Sequence, residues 1–190
     1  MIGLRLLTWL LAVGTVVLTG PAWAASDFVV TLLGTASPAP RAGRMGPSTL
    51  VVVNGQRLLF DAGRGATIRL WQMGIRIGSL DATFLTHFHS DHTNGLPDVW
   101  LTGWIGAPYG GRITPFRLVG PIGTKMLMEH LEKAYESDVN IRHKDEGEPL
   151  EGIRTEVTEF KAAGVVWSKD GVTVTAVEND HGALIKLLWL

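Results

Sequence analysis

The chain has 190 residues, 46% of them hydrophobic, which is enough for one domain with its own core. Its formal net charge is −1 and no block of like charges stands out, which excludes a basic nucleic-acid arm and an acidic tail. It has no cysteine, which excludes a disulfide framework and thiolate-held zinc.

Residues 1–24 read as an export signal. A single positive charge lies in Met1 to Arg5, an apolar run spans Leu6 to Leu18, and Ala22-Trp23-Ala24 forms an A-x-A site. The run is shorter than the roughly 20 residues a membrane-spanning helix needs. The expectation is a domain over residues 25–190, periplasmic or secreted, with no stable membrane span.

That domain opens with Phe28 to Leu33, which reads as a buried strand ending at Gly34. Thr35 to Pro47, with three prolines and two glycines, is a loop near the mouth of any site, and it carries Arg41 and Arg44. Leu50 to Val53 and Gln56 to Phe60 flank Asn54-Gly55, the signature of a hairpin with a type I′ turn. A helix follows Asp61-Ala62-Gly63-Arg64-Gly65 and runs to about Met73. Asp81 to Thr86 is the next strand. Thr93 to Trp104 begins as helix and breaks at Gly103, and Gly106 to Thr114 is a loop. Phe116 to Val119 is a strand, and Gly123 to Tyr135 has helical spacing of its apolar residues. Ser137 to Gly152 reads as charged and irregular. Strands at Arg154 to Phe160, Val165 to Ser168 and Val172 to Val177 follow. Hairpin-paired strands interleaved with single helices predict a layered α/β domain.

The chemistry concentrates in His87-Phe88-His89-Ser90-Asp91-His92. Imidazole and carboxylate are the ligands that zinc and similar divalent ions prefer. On extended chain, side chains two apart point the same way, so His87 and His89 can grip one ion. A turn with Ser90 or Asp91 as helix N-cap would swing Asp91 and His92 alongside, close enough for a second ion. Trp100, Trp104 and Tyr109 are candidates for a substrate wall, against the alternative of core packing. Arg41, Arg44 and Arg64 could pair with an anionic ester. His130 and His143 read as surface residues.

The blocks LLGT (Leu32 to Thr35), FDAGRG (Phe60 to Gly65), FLTHFHSDHTNGLPD (Phe84 to Asp98) and DHG (Asp180 to Gly182) occur in an order that resembles the metallo-β-lactamase superfamily. The resemblance is strongest to the branch of tRNase Z-like phosphodiesterases and arylsulfatase-type hydrolases. It implies an αββα sandwich with a two-metal site at one edge, this chain supplying the N-terminal half and the start of the second. His87, His89 and His181 match ligands of the first metal, and Asp91 and His92 match ligands of the second. Asp91 also matches the catalytic base or water orienter, and Asp61 a buried acid that supports the ligand loop from behind.

In the family the pattern continues past Lys186 to a bridging carboxylate and a last histidine, whereas this sequence reads Leu187-Leu188-Trp189-Leu190. The expectation is a C-terminally truncated member whose second metal site is short of ligands. One inner sheet face would be exposed, as an aggregation hazard or a surface for a partner or an oligomer. The expected function is a zinc hydrolase, with one or two ions, of small sulfate, phosphate or carboxylic esters. The ion would activate water, lowering its pKa to about 7. The alternatives are a tRNase Z-like phosphodiesterase or endoribonuclease and a catalytically impaired metal-binding fragment. The export signal, acidic balance and missing basic patch weigh against nucleic acid.

Overall fold

The structure, a computed structural model, describes residues 28–181 and 186–189, so the export signal expected over residues 1–24 lies outside the described residues. Two sheets form the frame. The first has six strands in sequence order: β1 (Phe28–Gly34), β2 (Ser48–Val53), β3 (Gln56–Phe60), β4 (Ala82–Phe84), β5 (Phe116–Pro121) and β6 (Thr155–Phe160). The β1-β2 and β2-β3 pairs are antiparallel, while β3 to β6 run parallel. The second sheet is the antiparallel set β7 (Gly164–Lys169), β8 (Val172–Asp180) and β9 (Lys186–Trp189). No helix among the described residues is long and apolar enough to cross a membrane.

Alternation along the strands sends side chains to two separate cores. Leu50, Leu59, Leu85 and Leu118 face the helices α1 (Ala66–Gln72), α3 (Leu96–Trp104) and α4 (Thr124–Ala134). Leu58, Ala82, Phe84 and Val119 face the second sheet, against Val172, Val174 and Ala176. The β2-β3 hairpin turns as the sequence predicts, with Asn54 at φ 48° and Gly55 at φ 75°. Both central residues of a type I′ turn need positive φ, which Asn and Gly adopt most readily.

Three expectations need correction. β1 is not a buried strand: Phe28 is 61% exposed and Leu32 67%. Phe28, Val30 and Leu32 look onto an apolar groove of about 600 Å³ shared with Val51, Leu58, Phe60 and Val174, so the run is apolar without being covered. Residues 137–152 are mostly helical rather than irregular, with α5 (Glu136–Ile141), a π turn over Arg142–Glu146 and, after a break at 147–149, α6 (Leu150–Ile153). Arg142 bridges Asp138 and Glu146, each four residues away, so charge pairing replaces an apolar stripe there. Gly103 does not break its helix, because α3 continues to Trp104.

The far end of α3 is tied down by a buried cation. Arg112 donates to the carbonyl oxygens of Gly152 (2.9 Å) and Trp100 (2.6 Å) and lies 4.9 Å from the centre of the Phe116 ring. Burial pulls its pKa down to about 10, and it stays charged at neutral pH. Arg112→Met leaves two buried carbonyls without their charged donor, so it should destabilise the chain by about 3 kcal/mol. Urea unfolding of the two proteins checks this, and an unchanged midpoint would contradict it.

Helix α4 starts at Gly123, whose φ of 108° suits glycine, and no side chain at that position caps it. Glu159, at the end of β6, does so instead, accepting from the backbone N–H of Lys125 (2.9 Å) and Gly123 (2.7 Å). Those two bonds hold its carboxyl below the ordinary value of 4.5. A lowered acid stabilises the fold above its unfolded-state pKa and loses that contribution as pH falls through the folded value. Glu159→Gln should therefore lower the melting temperature at pH 7. The gap to wild type should close below the ordinary glutamate range in a pH series of melts.

Candidate metal centre

β3 and β4 run parallel with Phe60 opposite Phe84, so the residues just beyond them emerge at the same sheet edge. Asp61 leaves β3 there at φ 58°, a left-handed turn that Asp tolerates better than most residues. Its N–H bonds the carbonyl oxygen of Phe84 at 2.8 Å, which pins the turn to β4. The carboxylate then faces Thr86 and His92. Oδ1 accepts from Thr86 N–H at 2.8 Å, and Oδ2 lies 2.8 Å from Thr86 Oγ1 and 2.6 Å from His92 Nδ1. Asp61 is 7% exposed, and the supporting role expected of it fits these contacts.

Beyond Thr86 the chain carries His87 and His89 and enters α2 (Ser90–Thr93). The N-cap of α2 is His89, without a side-chain cap bond, rather than Ser90 or Asp91. His87, His89 and His181, the last from the end of β8, bring one ring nitrogen each to within 4.8 Å of one another. His87 Nε2 and His89 Nδ1 are 2.9 Å apart, and the His181 ring centre lies 5.4 Å from those of both other rings. Both sheets are thus needed to assemble the trio.

Asp91 and His92 arrive beside this group on α2. The His92 ring centre is 4.1 Å from that of His87, and His92 Nε2 is 4.0 Å from Asp91 Oδ2. Close approach of backbones allows this: a Cβ on Gly63 would sit 2.6 Å from the Asp91 carbonyl oxygen, and one on Gly95 2.4 Å from that of Gly63. Glycine is the one residue that fits such crossings.

The electrostatics separate the rings. Burial, followed by repulsion from His92, lowers the His87 pKa to about 4, so the ring is neutral at pH 7 with a lone pair to offer. For His92, burial opposes the charged form, but the hydrogen bond to Asp61 and the charges of Asp61 and Asp91 outweigh it and raise its pKa.

The donor set suits zinc. Three imidazole nitrogens at about 2.0–2.1 Å from one tetrahedral ion stand roughly 3.3 Å apart, close to the observed grouping. Asp91 and His92 add two further donors of the right chemistry. His130 and His143 take no part: their Nδ1 atoms bond the nearby carbonyl oxygens of Met126 (2.7 Å) and Glu148 (2.8 Å).

The expected substrate wall is not built as the sequence suggested. Trp100 and Trp104 are fully buried, their indole N–H groups donating to the carbonyl oxygens of Ile153 and Pro149 at 2.8 and 2.7 Å. Tyr109 is half exposed but stacks on Trp71, and its carbonyl oxygen accepts from Ile77 N–H. Ile77 precedes β4 whereas His87 follows it, so Tyr109 lies at the opposite sheet edge. The nine residues of α3, rising about 1.5 Å each, carry the chain down to it. Arg44 lines a separate open pocket with Arg69 beside α1, and Arg41 pairs with it across a turn. Arg64 stays near the site, since Gly46 packs against both Arg64 N and the Asp91 carbonyl oxygen. Thr86 is a site residue that sequence reasoning missed. Its place directly before the first histidine of the motif was the available signal.

The family model described as anti-Pycsar protein Apyc1 matches residues 28–144. The ribonuclease Z of Mycolicibacterium gilvum is 41% identical over 155 residues, covering 80% of this chain and 52% of that protein. The ribonuclease Z of Mycobacterium bovis is 39% identical over 152 residues, covering 80% and 54%. The chain thus spans about half the length of these relatives. Among solved structures, the short form of human tRNase Z superposes with a TM-score of 0.65 at 21% identity, covering 84% of this chain and 61% of that one. A diphosphatase of the PhnP family gives 0.57 at 19% identity, covering 84% and 60%. The Bacillus subtilis metallo-β-lactamase fold protein YhfI gives 0.58 at 18%, covering 84% and 56%. The chain belongs to the family of the anti-Pycsar protein Apyc1 and is a tRNase Z-like member of the metallo-β-lactamase superfamily.

Proposed function

We propose that the protein is a zinc-dependent hydrolase of phosphodiester bonds, with His87, His89 and His181 holding the ion. The observation that carries this is the convergence of those three rings beside Asp91 and His92. A bound zinc ion would lower the pKa of a water to about 7 and so supply a nucleophile at neutral pH. Asp91, only 8% exposed and beside His92, would be the carboxylate to take a proton from the attacking water and orient it. His92, held by Asp61, keeps its Nε2 on the Asp91 side, where a departing oxygen or a second ion could be met.

The choice of a phosphodiester over the sulfate and carboxylic esters raised by the sequence rests on the relatives. Those are named as ribonucleases, a tRNase and a diphosphatase, which favours the tRNase Z-like alternative over the ester reading. Membership of the anti-Pycsar family adds the proposal that this hydrolysis counters Pycsar.

The test is turnover of bis(p-nitrophenyl) phosphate, p-nitrophenyl sulfate and p-nitrophenyl acetate by the purified chain with and without zinc, next to an RNA oligonucleotide. Diester hydrolysis that needs zinc and disappears in His181→Ala is expected. Zinc-dependent sulfate or acetate turnover exceeding that of the diester would overturn the substrate class. RNA cleavage outpacing the small diester would establish the nuclease form of the reading.

A further inference from the structure

We infer that Thr86 is a positioning residue whose hydroxyl passes the hold of Asp61 on to His87, fixing that ring with its proton on Nδ1 and its lone pair on Nε2. The inference follows from counting protons. A carboxylate only accepts hydrogen bonds, and a threonine hydroxyl has one proton to give. Thr86 Oγ1 lies 3.0 and 2.8 Å from the two oxygens of Asp61, so that proton goes to Asp61. The same oxygen lies 2.9 Å from His87 Nδ1 and can only accept there, so Nδ1 carries a hydrogen. On a neutral imidazole the lone pair is then on Nε2. This is the atom 2.9 Å from His89 Nδ1, on the side where His181 joins the group.

Asp61 thereby governs two rings with one carboxylate. It accepts from His92 Nδ1 directly at 2.6 Å, so that on the neutral ring the lone pair is on Nε2, and it sets His87 through Thr86. The Thr86 N–H bond to Oδ1 at 2.8 Å keeps the relay in register. With Nδ1 of both rings held by these bonds, neither neutral ring has to change tautomer or rotate to meet a cation. The placement of protons stands on the geometry alone, and only its consequence for zinc rests on the reading of His87 as a ligand.

The experiment uses the zinc-free chain labelled with ¹⁵N-histidine, read by two-bond ¹H–¹⁵N correlation, followed by zinc titration. Wild type and Thr86→Ser are expected to show His87 protonated on Nδ1. Thr86→Val, which keeps the shape without the hydroxyl, should give a mixture of tautomers and bind zinc 10- to 100-fold more weakly, the usual loss when a ligand's hydrogen-bonding partner is removed. Thr86→Ser should restore the affinity. A His87 proton on Nε2 in wild type, or an unchanged tautomer and affinity in Thr86→Val, would overturn the inference. Should Thr86→Val fail to fold, the tautomer in wild type and Thr86→Ser decides alone. No turnover is measured, so a failure of the proposed reaction is distinguishable from a failure of this relay.

Discussion

Replacing His87 with alanine is expected to weaken zinc binding by more than 100-fold, about the upper limit for changes to groups that merely orient a ligand. Diester hydrolysis should fall to background. His87 is 5% exposed and neutral, so its removal leaves no stranded charge. It does leave the Thr86 oxygen without its donor, a cost of about 1–2 kcal/mol in the zinc-free fold. His181→Ala should show the same loss of zinc with a smaller stability change, because His181 is exposed at the end of β8. Zinc titration paired with zinc-free melting curves separates the two effects. Equal affinity in wild type and His87→Ala would remove His87 from the site.

Asp61→Ala should damage both the fold and the site. It leaves the Thr86 N–H, the Thr86 hydroxyl and His92 Nδ1 without their acceptor in a position 7% exposed. Each unsatisfied buried group costs about 1–3 kcal/mol, and partial rescue by water brings the expected total to about 3–4 kcal/mol. Alanine also adopts the left-handed φ of 58° less readily than Asp or Asn. Asp61→Asn keeps that backbone and one acceptor oxygen, so its stability loss should be less than half as large. Both variants should lose 10- to 100-fold in zinc affinity, since neither can anchor His92 and Thr86 together. Equal stability of the two variants, measured by urea unfolding, would show that the hydrogen bonds are not what Asp61 contributes.

Features that depend on neighbours in sequence were legible before any coordinates. The Asn54-Gly55 turn, the span of α4 and the His87-x-His89 spacing are local chemistry: the turn and helix form where the residues indicate, and the two rings meet at 2.9 Å. The pairing of His181 with His87 and His89 was legible through the resemblance, since nothing local in Asp180-His181 announces it. What escaped depends on packing. The apolar run of β1 reads as buried because composition does not say whether anything covers it, and Phe28 and Leu32 are exposed. Trp104 and Tyr109 follow the histidines closely in sequence, yet a helix takes them away from the site. Thr86 gained its role from Asp61, 25 residues earlier, through a strand pairing that spacing alone does not reveal. In residues 137–152, charged i,i+4 pairs around Arg142 disguised a helix as an irregular segment.

The convergence of three imidazoles from two sheets on one cation is tested most directly by anomalous diffraction at the zinc edge from crystals of the zinc-loaded chain. A strong peak enclosed by His87 Nε2, His89 Nδ1 and the His181 ring is the result expected. Zinc bound elsewhere, with the space between those rings free of anomalous density, would contradict it.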